Sequence, residues 1–87
     1  MKKLTLITLL SCFFTTPATW SADFNKGVTA YQAGEYKVAL TQWRPLAEAG
    51  NARAQNFLGF MYDNGEGVLE DDLEAVKWYR LAAEQGN

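Results

Sequence analysis

The side chains able to do chemistry in this sequence are few and mostly of one kind. Glu66, Glu70, Asp71, Asp72 and Glu74 place five carboxylates within nine residues. Carboxylates together with carbonyl oxygens bind calcium, but their spacing here does not match a calcium-loop motif. Helix capping accounts for Asp71 and Glu74 without any ion. Gly65-Glu66-Gly67-Val68 looks like a glycine-rich phosphate loop, yet it lacks the lysine and the preceding strand that such loops need. A turn that needs flexible backbone is the simpler reading. Histidine is absent, which removes the commonest general base and the commonest metal ligand. Cys12 is the single cysteine, and Ser11 and Ser21 are the only serines. No catalytic residues, cofactor or metal site are expected from this inventory.

These nucleophiles sit in a segment with a different purpose. Met1-Lys2-Lys3 is a basic start, Leu4 to Phe14 is apolar and uncharged, and Thr15 to Ala22 is more polar and contains Pro17. This is the layout of a secretory signal peptide. The apolar run falls short of the ~20 residues that span a bilayer. Cleavage after Ser21 places the small Thr19 and Ser21 at the specificity positions, whereas cleavage after Ala22 places the bulky Trp20 at one of them. The expected product is a periplasmic or secreted domain over residues 22–87. A rival reading takes Leu9-Leu10-Ser11-Cys12 as a lipoprotein signal, with Cys12 acylated and the protein held at a membrane. Leu10 and the following Phe13-Phe14 fit that reading poorly. Without Cys12 no disulfide framework is available, although the route leads to an oxidising compartment. Removing Lys2 and Lys3 leaves six basic side chains against ten acidic ones, a net charge of −4. That balance, with no basic patch, disfavours nucleic acid and anionic lipid as partners.

The rest of the chain has helical periodicity. Phe24, Gly27, Val28, Ala30 and Tyr31 recur at three- and four-residue steps and predict a helix over 23–33. Gly34-Glu35 breaks it. Val38, Ala39, Leu40, Trp43, Leu46 and Ala47 predict a second helix over 36–49, closed by Gly50-Asn51. Third and fourth helices follow over 52–63 and 71–85, joined by a loop over 64–70. Asp71 with Glu74 matches a capping box. Pro45 conflicts with the second helix: it removes a donor and crowds the carbonyl of Thr41, so a bend is expected between Thr41 and Leu46. Gly27 and Gly59 lie inside helices, where glycine costs ~1 kcal/mol relative to alanine. A close helix–helix approach would offset this, with Ala39 and Ala75 expected opposite.

The helices also repeat. A shift of 36 brings Ala39 onto Ala75, Trp43 onto Tyr79, Arg44 onto Arg80, Ala47 onto Ala83 and Gly50-Asn51 onto Gly86-Asn87. The first helices align better at a shift of 32, with Gly27 on Gly59 and Val28 on Phe60. The second unit therefore holds about four extra loop residues. Leu58, Gly59 and Tyr62 mark its first helix. Gly65, Gly67 and Val68 lie in its loop. Asp71, Ala75, Trp78, Tyr79, Ala82, Ala83 and Gly86 mark its second helix and end. This pattern closely resembles the Sel1-like repeat, a relative of the tetratricopeptide repeat. Gly27 to Ala47 is similar to the tetratricopeptide repeat itself. The resemblance implies an all-α fold of two stacked antiparallel hairpins, 22–50 and 51–87, in the manner of a Sel1/TPR-like α-solenoid.

It also implies a function. Tetratricopeptide repeats hold partners in a concave groove lined by their first helices. Carried over by position, that face comprises Phe24, Val28, Tyr31 and Gln32 from one helix and Arg53, Asn56, Phe60 and Asp63 from the next. For Phe24, Val28 and Phe60, ordinary packing is the competing reading. The resemblance thus points to an exported scaffold for another protein, with no catalysis of its own. Some cysteine-rich Sel1-like proteins are described as penicillin-binding or weak β-lactamases; a mature chain without cysteine departs from that pattern. A further alternative is a truncated piece of a longer repeat protein. No polar capping helix follows Gly86-Asn87, which suits a truncated protein, an end covered by a partner or second copy, or an exposed end.

Overall fold

A computed structural model describes residues 22–86. The signal peptide expected over 1–21, with Cys12, lies outside them. The described residues form four helices and no strand: α1 Phe24–Gln32, α2 Tyr36–Glu48, α3 Ala52–Asn64 and α4 Asp72–Ala83. Helix α1 packs on α2, α2 on α3, and α3 on α4, so two antiparallel hairpins stack through α2 and α3.

The helix ends follow from local chemistry. Asp23 Oδ1 accepts from Asn25 N–H at 2.9 Å and from Lys26 N–H at 3.3 Å. Asn51 Oδ1 accepts from Ala54 N–H at 2.9 Å, and Asp71 Oδ1 from Glu74 N–H at 3.1 Å. Each cap satisfies N–H groups that have no partner within the helix. Only half of the expected capping box forms. Asp71 N–H donates to the Tyr62 carbonyl at 2.9 Å, while the Glu74 carboxylate pairs with Lys77 at 2.9 Å. At the other end of α3, Gly65 has φ 70°, the left-handed conformation in which its N–H reaches the Met61 carbonyl. Helix α2 runs unbroken through Pro45.

The core is narrow and built mainly of small side chains. Ala30, Ala39, Ala47 and Ala54 surround Trp43, Leu58, Met61 and Trp78. The alanines let the helices approach, and Trp43, at 0 % exposure, fills the space between them. Both intrahelical glycines serve this approach, but their partners differ from the expected Ala39 and Ala75. A Cβ on Gly27 would lie 2.7 Å from carbons of the Trp43 ring, and one on Gly59 would lie 2.7 Å from carbons of the Tyr79 ring. The glycines accept aromatic faces where small residues had been expected.

Candidate functional site

The structure divides the eight predicted groove residues into a filled part and an open part. Phe24, Val28 and Tyr31 on α1 are half-buried and pack against the core. Phe57, on α3, fills the space beside them. Its ring stacks on Trp43 at 4.5 Å and 21° and lies 5.7 Å from Phe24 and 6.3 Å from Tyr31. Trp43 is held in place as its indole N–H donates to the Phe24 carbonyl at 3.1 Å. Arg53 lays its guanidinium 4.2 Å from the centre of the Phe24 ring, an attractive cation–π contact. Tyr31 donates its hydroxyl to Glu66 Oε1 at 2.6 Å, tying α1 to the loop of the second hairpin. Burial and the adjoining Glu66 carboxylate push the Tyr31 phenol well above its ordinary pKa. Gln32, the last residue of α1, is exposed.

Sequence periodicity gave no role to Phe57, because its partners are Phe24, Tyr31 and Trp43, all in the other hairpin. An aromatic residue between the core positions Ala54 and Leu58 was the available signal. Gln55 was missed for a similar reason. It is buried, donates Nε2–H to the Ala47 carbonyl at 3.0 Å and accepts from Gln85 Nε2 at 3.0 Å.

The open part lies on the second hairpin. Asn56, Phe57, Phe60 and Tyr79 line a cavity of about 300 Å³. Phe60 is 46 % exposed and adds aromatic surface to this opening. Arg53 and Asp63 are exposed one turn away along α3, on either side of this apolar surface. Burial and, to a smaller degree, the Asp63 charge raise the Tyr79 phenol pKa, so its hydroxyl is neutral at physiological pH. The site therefore offers an apolar hollow between two aromatic rings, one amide, and a charge of each sign at its edge. That arrangement can bind a side chain and steer its orientation.

The acidic side chains behave differently from a binding cluster. Glu66 accepts from Tyr31, Asp71 caps α4, and Glu74 pairs with Lys77. Among the described residues, no three His, Cys, Asp or Glu side chains gather closely enough to hold a metal ion. No helix among them is long and apolar enough to cross a membrane.

Residues 52–87 match the family model of the Sel1 repeat. The chain is also similar to two proteins named as exopolysaccharide production negative regulators. The protein from Rhizobium meliloti (strain 1021) is 42 % identical over 65 residues, covering 75 % of this chain and 24 % of the relative. The one from Rhizobium leguminosarum bv. viciae is 40 % identical over 63 residues, covering 72 % of this chain and 24 % of the relative. The chain thus spans about a quarter of the length of these relatives. No solved structure gives a significant match.

Proposed function

We propose that this protein, whose residues 52–87 are a Sel1 repeat, is a non-catalytic scaffold that docks another protein on its Asn56–Phe60–Tyr79 face. The observation that carries this reading is the aromatic-walled cavity of about 300 Å³ beside the half-exposed Phe60. Buried aromatic anchors in pockets dominate the energetics of protein interfaces. The charges of Arg53 and Asp63 at the rim would contribute orientation more than affinity. The leader-like start of the chain supports docking in the periplasm or outside the cell.

Site-specific photo-crosslinking in the native host tests this, with the probe at Phe60 and a control probe at Lys37. A discrete adduct from Phe60 alone, found in the envelope fraction, is the expected result. Equal labelling from both positions, or no adduct at all, overturns the groove.

A narrower reading follows from the relatives. Their alignment with 72 % and 75 % of this chain favours a part in the negative regulation of exopolysaccharide production. Increased polysaccharide yield on deleting the gene, restored by the wild-type protein but not by a Phe60→Asp variant, is its expected signature.

A further inference from the structure

Residues 69–73 read Leu-Glu-Asp-Asp-Leu, and every one of them is exposed. Leu69 is 90 % and Leu73 84 % exposed, more than any other large apolar side chain among the described residues. They flank Asp71, the cap of α4, and neither packs against the core. A lone exposed leucine is ordinary on a protein surface. Two leucines four residues apart, both almost wholly in solvent, make an apolar patch that the fold does not use.

The stacking of hairpins does not call for these leucines. The 36-residue shift that aligns α2 with α4 carries Ala33 onto Leu69 and Lys37 onto Leu73. Ala33 and Lys37 stay exposed although α3 packs on α2. The same shift carries Leu40 onto Val76 and Ala47 onto Ala83. Leu40 is half-buried against the core and Ala47 is 1 % exposed, whereas Val76 and Ala83 are exposed. A neighbour seated on α4 as α3 is on α2 would therefore cover Val76 and Ala83 and leave Leu69 and Leu73 in solvent.

The segment is held in one shape. Asp71 N–H donates to the Tyr62 carbonyl at 2.9 Å, and Asp71 Oδ1 accepts from Glu74 N–H at 3.1 Å. Glu70 lies against Gly65, where an added Cβ would stand 3.4 Å from the Glu70 Cβ. A preformed shape lowers the entropy lost on binding. The charge around the leucines has one sign. Glu70 and Asp72 make no ion pair among the described residues, and the next base in sequence, Lys77, is paired with Glu74 at 2.9 Å. These carboxylates disfavour an anionic lipid surface, or the same segment of a second copy, and complement a basic surface.

We infer that Leu69–Leu73 is a docking element for a basic protein surface with an apolar hollow. Leu69 and Leu73 insert into the hollow, and Glu70 and Asp72 face lysine or arginine side chains at its edge. The element shares no residue with the Asn56–Phe60–Tyr79 face and goes beyond the docking proposed there.

The test uses a synthetic amphipathic helix of about five turns, leucine on one face and lysine on the other, as a minimal basic surface with an apolar face. Its binding to the methyl-labelled protein is followed by NMR. The Leu69 and Leu73 methyl signals should shift most, and affinity should fall severalfold as salt is raised from about 0.05 to about 0.3 M. Leu69→Ser combined with Leu73→Ser should weaken binding about tenfold or more. The same pair should leave Tm within about 2 °C of the wild type, since both side chains are already in solvent. Glu70→Gln with Asp72→Asn should weaken binding severalfold, and a peptide with glutamate in place of lysine should not bind. No binding, equal binding by the serine variant, or equal binding of the glutamate peptide overturns the inference. Shifts confined to Phe60 and Tyr79 overturn it while the docking reading stands. Leucine-dependent co-sedimentation with phosphatidylcholine vesicles would assign the element to a membrane, and leucine-dependent self-association to a second copy; either result overturns it.

Discussion

In the first hairpin Trp43 is enclosed on both sides, by Gly27 and by Phe57. In the second, its register equivalent Tyr79 rests on Gly59 and faces an open cavity with its remaining surface. The two hairpins share one local design: a helix glycine accepts an aromatic face from the returning helix. They differ in what the next unit supplies. Where α3 supplies Phe57, the aromatic becomes core; where the face is left open, it keeps part of its surface in contact with solvent. The same contrast separates Ala47 from Ala83 and Leu40 from Val76. On the docking reading proposed above, the interaction site is an interior interface left uncovered.

The comparison breaks most visibly at the aromatic pair. Trp43→Ala removes a fully buried side chain and is expected to cost ~3–5 kcal/mol. Stability margins at this domain size are thin, so the variant should be largely unfolded at 25 °C. Tyr79→Ala, at a partly buried site, should cost only ~1–2 kcal/mol and leave the fold intact. Urea titration of both variants checks the difference. Equal losses would mean that the second hairpin is as tightly closed as the first.

A smaller effect is expected at the glycines beneath these rings. Alanine at either position gains ~1 kcal/mol of helix propensity and introduces a Cβ that meets a ring at 2.7 Å or less. Trp43 cannot retreat, since Phe57 stacks on it and the Phe24 carbonyl holds its N–H. Tyr79 can shift towards its cavity. Overpacking costs ~1–3 kcal/mol when the surroundings are fixed. Gly27→Ala should thus be destabilising by about 1–2 kcal/mol, and Gly59→Ala close to neutral, with both read from the same titrations.

Much of the fold was legible because its signals are local. Asp23, Asn51 and Asp71 cap helices that begin one residue later, and Gly34, Gly50 and Gly65 take the positive φ that ends the preceding ones. The internal repeat was legible too, since aligned residues need no knowledge of contacts. The contacts themselves were not. Gly27 and Gly59 were readable as points of close approach, but sequence spacing favoured alanines opposite them, and the geometry places Trp43 and Tyr79 there. Phe24, Val28 and Tyr31 were placed on an open groove because the resemblance assigns first-helix positions to it. Phe57 arrives from the neighbouring hairpin and fills that part, which no property of α1 foretells. Gln85 reaches the buried Gln55 across 30 residues, again beyond the reach of periodicity.

The smallest expected effect lies at the seam between the two hairpins, where Tyr31 donates to Glu66 across 35 residues. Tyr31→Phe keeps the ring packing and removes one hydrogen bond, so a loss of about 1 kcal/mol is expected. The pH dependence reports the buried, hydrogen-bonded phenol as a second readout beside that magnitude. Burial and the Glu66 carboxylate hold the folded-state phenol above its ordinary pKa of 10.0. Below that pH the phenol is protonated in both folded and unfolded chains, and its contribution to stability is complete. As pH rises beyond about 10, the unfolded chain releases the proton while the folded chain retains it, and stability falls. Tyr31→Phe should flatten this alkaline decline. Tyr79 also has a raised pKa, so part of the slope should remain in that variant and disappear only when Tyr79→Phe is added. An alkaline profile unchanged by Tyr31→Phe would show that the phenol is neither buried nor held by Glu66 in the folded chain as the structure places it.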